Sequence, residues 1–188
     1  MPVADDPMSP DRLHRMIEAT RLAYRDRNAF VADPKFSDVP VETLLSQGYA
    51  NALAANIDNN RAADLLPPPG LPRHDDTVYI SVVDGDGNAC SFINSLFKGF
   101  GSGIVAAKSG IVLQNRGFGF VLEDGHPNCI APGKRPMHTI IPGMLSKNGR
   151  AVMPFGVMGG HYQPVGHSWL LSSILDHGLD PQEAMDLP

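Results

Sequence analysis

Two cysteines, one tryptophan and no long apolar run are what this 188-residue chain has little of, and each scarcity narrows its class. Cys90 and Cys129 lack partners at metal-ligand spacing, so no metal site is expected. Cys90 falls within a strand pattern and reads as a buried free thiol, which mildly favours a reducing compartment. No window approaches the roughly 18 apolar residues of a membrane helix, and the amino terminus shows no charged-then-apolar signal pattern. A cytoplasmic, soluble chain without a membrane partner is therefore expected. The net charge of −5 leaves no basic footprint for nucleic acid. No internal repeat is visible.

What is present is a 43% hydrophobic chain, long enough for one domain with a core. Its 17 prolines and 19 glycines punctuate periodic segments and form no low-complexity tract. Ser9-Pro10-Asp11 starts a helix reaching about Arg27, with Leu13, Met16, Ile17, Thr20 and Tyr24 on one face. Val41 to Ile57 reads as one or two short helices interrupted at Gly48. Leu65 to Pro72 carries four prolines and excludes regular structure, as a connecting segment would.

From Thr77 strands dominate. Val78, Ile80 and Val82 alternate with other residues, the period of a strand with one buried face. Ser81 to Asp84 and Ala89 to Leu96 flank Gly85-Asp86-Gly87-Asn88 as a hairpin. Asp84-x-Asp86-x-Asn88 imitates the start of a calcium loop, but Ala89 stands where glycine is needed and Ser95 where glutamate is needed, so calcium is rejected. Gly99 to Gly103 leads into strand-like Ile104 and Val105 and reads as close backbone packing, not as a phosphate loop. Strand-like runs recur at Gly110 to Leu113, Thr139 to Leu145 and Ala151 to Met158, with Lys147-Asn148-Gly149 turning between the last two. A helix follows from about Pro164 to His177, stopped by Gly178, and Asp180-Pro181 with Glu183 opens another through a capping box. Gly166-His167-Ser168-Trp169-Leu170 lacks the closing glycine of a nucleophile elbow, and His161 and His167 read as ordinary polar residues. Hairpins with helices before and after predict an α/β (α+β) layered fold.

Thr77 permits two readings. It starts a strand as any β-branched residue does, or the Asp76–Thr77 bond is cut, leaving an α-amine beside the threonine hydroxyl. Such an amine titrates at roughly 7.7–8.0 and serves as base for that hydroxyl. Residues 76–89, Asp-Thr-Val-Tyr-Ile-Ser-Val-Val-Asp-Gly-Asp-Gly-Asn-Ala, precede Phe100-Gly101-Ser102-Gly103-Ile104-Val105, Pro132-Gly133-Lys134-Arg135-Pro136 and Met158-Gly159-Gly160. These four segments, in this order, resemble the gamma-glutamyltransferase (gamma-glutamyltranspeptidase) family, which includes transpeptidase-like acylases. The family's members are precursors that cleave themselves before a threonine, which becomes the nucleophile of the small subunit.

The resemblance implies the αββα sandwich of amino-terminal-nucleophile hydrolases, here partial. Residues 1–76 correspond to the end of the large-subunit region, 77–188 to the first part of the small-subunit region, and both flanks of a family precursor are missing. It implies autocatalytic cleavage at Asp76/Thr77, acyl transfer from a small-molecule amide to water or an amine as in glutathione metabolism, and no cofactor. Thr77 is then nucleophile and base. Gly159 and Gly160 match the oxyanion pair, which is otherwise a plain turn between strand and helix, and Ser95 matches a hydroxyl residue supporting the nucleophile, which otherwise satisfies a backbone group. The readers of the gamma-glutamyl group depart from the pattern. An acidic stretch is replaced by Asn115-Arg116-Gly117-Phe118-Gly119-Phe120, a serine pair by His138-Thr139, and an asparagine by Phe97. Arg116, His138 and Thr139 are candidate contacts for an acidic or polar acyl group, with a solvated loop as the other reading of Arg116. The second expectation is of another class: an uncleaved, inactive remnant, or a subunit-like piece needing a partner chain to cover its apolar sheet.

Overall fold

The computed structural model describes residues 6–64 and 77–188. The expected proline-rich connection and Asp76 lie outside the described residues. The chain is mixed α+β, with two small antiparallel sheets among the described residues. Its described residues divide into two compact units, one of 6–64, 120–137 and 170–188, the other of 77–119 and 138–169.

The first unit opens with α1, Pro10–Phe30, whose N-cap Ser9 accepts the Arg12 N–H while Pro10 stands in the first turn. The expected apolar face does not become a core face. Ile17 is exposed, and the buried residues of α1 are Arg12, Glu18 and Asp26. Polar anchors explain the difference. Arg12 donates to Ser173 Oγ at 2.9 Å and to the Pro7 carbonyl, Glu18 accepts the Ala63 N–H, and Asp26 accepts the Tyr49 hydroxyl at 2.7 Å. Helices α2, Val41–Leu44, and α3, Gln47–Ala54, break at Leu45–Ser46, not at Gly48. Ser46 decides the boundary, because its hydroxyl caps α3 by accepting the Tyr49 N–H. Asp33, buried, accepts the backbone N–H, Nε and Nη2 of Arg135, which ties two loops together. Helix α5, Pro181–Asp186, starts with the expected capping box at Asp180 and Glu183.

In the second unit, strands β1, Thr77–Val83, and β2, Ala89–Ser95, form a hairpin in which Thr77 faces Ser95 and Val83 faces Ala89. Asp84 closes its turn by accepting the N–H groups of Asp86 and Asn88. Strands β3, Gly143–Lys147, and β4, Arg150–Phe155, form the second hairpin. Its turn residues Asn148 and Gly149 both have positive φ, 53° and 75°, the conformation that asparagine-glycine supplies. β3 begins only after Pro142, which has no N–H for a ladder. The expected strand at Gly110 to Leu113 is reduced to one bridge between Val105 and Val112. Near it Gly101 leaves no room for a Cβ, which would lie 2.6 Å from the Leu113 carbonyl oxygen. Helix α4, Gln163–Leu175, follows a short 3₁₀ turn at Gly160–Tyr162, and Gly178 takes φ 70° after it. Ser168 lies within α4 and its hydroxyl donates back to the Pro164 carbonyl, as a helical serine does.

One face of the β1–β2 hairpin differs from expectation. Val78, Ile80, Val82 and Phe92 alternate as anticipated, yet they are 56%, 45%, 57% and 51% exposed. Cys90, opposite Val82, is exposed with them and is not the buried thiol that the alternation suggests. The covered face is the other one, where Thr77 and Ile93 are buried and Tyr79, Ser91 and Ser95 half-buried. Periodicity of two reports that the faces differ. It does not report which face the present chain covers.

Candidate active site

Strand pairing creates the first contact of the site. Because Thr77 and Ser95 are partners across the hairpin, their hydroxyls meet on its covered face, with Thr77 Oγ1 donating to Ser95 Oγ at 3.0 Å. Ser95 Oγ also accepts the Phe97 N–H at 3.0 Å. That second bond requires an unusual backbone. Phe97 has φ 82°, a region costing a bulky residue of order 1–3 kcal/mol, and its side chain is only 2% exposed. The ring thus anchors a kinked turn that fixes the hydroxyl next to Thr77.

The Phe97 ring meets His161 edge-on, with centroids 6.1 Å apart, which brings the turn after β2 against the residue following Gly160. Gly159 and Gly160 have φ 112° and 55°, conformations that suit glycine, and Gly160 is buried. A Cβ on Gly159 would meet Tyr162 at 3.3 Å. Upstream, the Tyr79 ring lies flush on Gly156 and Ser91 Oγ donates to the Phe155 carbonyl, so β4 leads into the glycine pair alongside the first hairpin.

Arg116 is half-buried and not freely solvated. Its Nη1 donates to the hydroxyl of buried Thr139 at 2.9 Å, and its guanidinium lies 5.3 Å from the Phe97 ring centroid. Lys98 Nζ approaches the same ring at 5.7 Å. His138 is exposed, and its Nδ1 accepts the Ile140 N–H within its own loop, so Thr139 and not His138 is the neighbour that Arg116 engages. The charge balance around these groups is one-sided. Over 77–119 and 138–169 the cations are Lys98, Lys108, Arg116, Lys147 and Arg150, while the carboxylates are Asp84 and Asp86 at a hairpin turn. Of the cations, Lys98 and Arg116 approach the Phe97 ring that follows the hydroxyl pair, whereas Lys147 and Arg150 flank the β3–β4 turn. Among the described residues no group of three or more His, Cys, Asp or Glu side chains is placed to hold a metal ion.

Sequence reasoning missed two residues at the start of α4. Gln163, 1% exposed, accepts the Ile141 N–H through Oε1 at 3.2 Å, and His167 accepts the Val157 N–H through Nε2 at 3.3 Å. They stand one helical turn apart, and the signal available was that spacing directly after a glycine pair.

The sequence model described as gamma-glutamyltranspeptidase matches residues 3–188. The chain belongs to the gamma-glutamyltranspeptidase family. Among curated members, the glutathione hydrolase-like YwrD proenzyme of Bacillus subtilis (strain 168) is 41% identical over 93% of this chain and 33% of its own length. The oxamate amidohydrolase proenzyme of Klebsiella pneumoniae is 40% identical over 98% of this chain and 34% of its own. In the same family, the crystal structure of cephalosporin acylase from Bacillus halodurans matches with a TM-score of 0.87 and 45% identity, covering 98% of this chain and 33% of that one. The chain spans about a third of the length of the curated relatives it matches. The expected kinship on four short segments thus extends over nearly every residue, to acylases and glutathione hydrolases alike.

Proposed function

We propose that this chain carries the catalytic centre of a self-processing amide hydrolase or acyltransferase in which Thr77 is the nucleophile. The observation that carries the reading is the Thr77–Ser95 hydroxyl pair, set on the covered face of a hairpin by cross-strand register, in a member of this family. In maturation the Thr77 hydroxyl adds to the Asp76 carbonyl. The peptide C–N bond breaks as an ester forms, the hydroxyl proton passes to the released amine, and water hydrolyses the ester to leave the Asp76 carboxylate and a free Thr77. In turnover that α-amine takes the hydroxyl proton, Oγ1 attacks the substrate amide, and the amine product leaves with the proton. Water or an acceptor amine then removes the acyl group. Gly159 and Gly160 supply N–H donors to the oxyanion, and Ser95 holds the nucleophile's rotamer.

The acyl group is an acidic one. Arg116, braced by Thr139 and Phe97, pairs with a substrate carboxylate while Lys98 adds to the field. The oxamate amidohydrolase relative acts, by its name, on an amide whose neighbour is a carboxylate, and a dicarboxylic monoamide of that kind suits this charge pattern. Intact mass and an amide panel test the reading together. Two fragments meeting at Asp76/Thr77, with oxamate-type amides turned over faster than neutral ones, support it. A single 20.2 kDa species inert towards every amide overturns it.

A second reading is favoured by the open face of Val78, Ile80, Val82 and Phe92. Here the chain is a subunit-like piece of a partial αββα sandwich, and the missing large- and small-subunit regions or a partner chain must cover that face before cleavage occurs. Cleavage and turnover that begin only when those regions are added would select this version.

A further inference from the structure

We propose that His167, in its neutral form, is a positioning residue for the Gly159–Gly160 turn, and that protonation of its ring releases that turn. This rests on the reading of the glycine pair as oxyanion donors. The geometry fixes the tautomer. A backbone N–H only donates, so Nε2, 3.3 Å from the Val157 nitrogen, carries no proton and the ring proton sits on Nδ1. Val157 is two residues before Gly159, and the intervening Met158 is exposed. The bond from His167 therefore restrains the segment that delivers the pair. The ring is held edge-on against Phe155, with centroids 5.0 Å apart, at the end of β4. Gly166 allows α4 to approach, because a Cβ there would lie 2.8 Å from both Val157 and Tyr162 side-chain atoms.

One helical turn earlier, Gln163 holds the Ile141 N–H in the same way, next to the loop bearing Thr139. The first turn of α4 thus clamps two loops that carry site residues, through two buried or half-buried acceptors. Gln163 does not titrate and His167 does. A protonated imidazole has no acceptor, so it must give up Val157.

Burial holds the His167 ring below the ordinary histidine value. The groups facing it are not charged. Phe155 and Val157 are neutral, α4 carries no Asp, Glu, Lys or Arg, and the charged residue of β4 is Arg150 at its opposite end. Tyr162 packs on Gly166 in the preceding turn, and His161 turns its ring to Phe97. Release therefore occurs as pH falls below about 6.5, with the neutral, clamped state complete above it.

The test follows the Val157, Gly159 and Gly160 amides by NMR and hydrogen exchange between about pH 8 and 5, beside kcat on an amide substrate. We expect loss of Val157 protection and shifts of both glycine amides with the midpoint of the His167 imidazole; kcat falls over the same range through the Thr77 α-amine as well, so the amides decide. His167→Gln keeps an acceptor that cannot titrate. It should lower kcat a fewfold and abolish the acid transition in the Val157, Gly159 and Gly160 amides, leaving in the rate only the limb of the Thr77 α-amine. His167→Phe, which preserves the aromatic packing, should lower kcat by about tenfold to a hundredfold at all pH. Val157 protection that stays flat through the imidazole titration, or an acid transition of the Val157 amide retained in His167→Gln, overturns the proposal. Should no turnover occur at any pH, the proposed function fails, and the amide titration still decides the clamp on its own.

Discussion

In the proposed reaction Thr77 concentrates the chemistry into one side chain. Its hydroxyl is bonded to Ser95 and buried, so replacing it by alanine removes the attacking atom while leaving the hairpin register intact. Thr77→Ala is expected to stay uncleaved and to lose at least about a thousandfold in turnover, while Thr77→Ser retains both cleavage and activity; intact mass and steady-state rates check this. Arg116 belongs to the same scale. The charge-assisted bond proposed between it and a substrate carboxylate would be worth about 1.5–3 kcal/mol, so Arg116→Ala should raise KM for a carboxylated amide by about tenfold to a hundredfold and leave a neutral amide nearly unaffected. An unchanged ranking across the amide panel would remove Arg116 from substrate recognition. Arg116 was legible as a departure from the family pattern, but its partner was not. The sequence marks Arg116, His138 and Thr139 alike as candidate substrate contacts, and only the folded loop shows that Thr139 receives a bond from Arg116.

Elements in this chain are bounded by side-chain caps more than by apolar stripes. Ser9, Ser46 and Asp180 each accept an N–H at the start of a helix; the starts at Ser9 and Asp180 are legible because a cap needs only its local sequence, whereas Gly48 draws attention away from Ser46. The faces were less readable. The helical period in α1 selects Leu13, Met16 and Ile17, whereas the helix is pinned by Arg12, Glu18 and Asp26, whose partners lie as far away as Ser173. Long-range polar pinning leaves no periodic trace. The Asp33–Arg135 contact is the clearest example, and it carries a pH signature. Its side-chain bond from Arg135, with the backbone N–H bonds of Arg135 and Lys35, holds the Asp33 carboxyl well below the usual carboxylate range. A depressed carboxyl contributes stability above its unfolded value, near 3.9, and loses it as pH falls towards the folded one. Asp33→Asn should therefore be less stable than the parent at pH 6, with the gap closing below about pH 4; thermal melts across that range measure it. A gap independent of pH would show that the ion pair is not its source.

For the molecule as a whole, the hairpins were legible and the direction of their burial was not. Glycine turns and alternation define where β1 to β4 run, because both are local. Which face is covered depends on what lies against it, and the chain spans about a third of the length of its curated relatives. The apolar set Val78, Ile80, Val82 and Phe92 consequently faces outward, a patch that favours association. The isolated chain should self-associate with rising concentration, and Ile80→Lys should shift sedimentation towards the monomer while changing stability by no more than about 0.5 kcal/mol. Monomeric behaviour of the parent at high concentration would count against an uncovered face.

Cys90 lies in that same patch, directly across from Val82, whereas Cys129 lies outside β1 and β2. A maleimide dye would therefore couple to Cys90 as long as the hairpin is bare, with Cys129 as the internal reference. Quenched labelling at position 90 alone, on mixing with a candidate companion polypeptide, would announce that the sheet has found its lid.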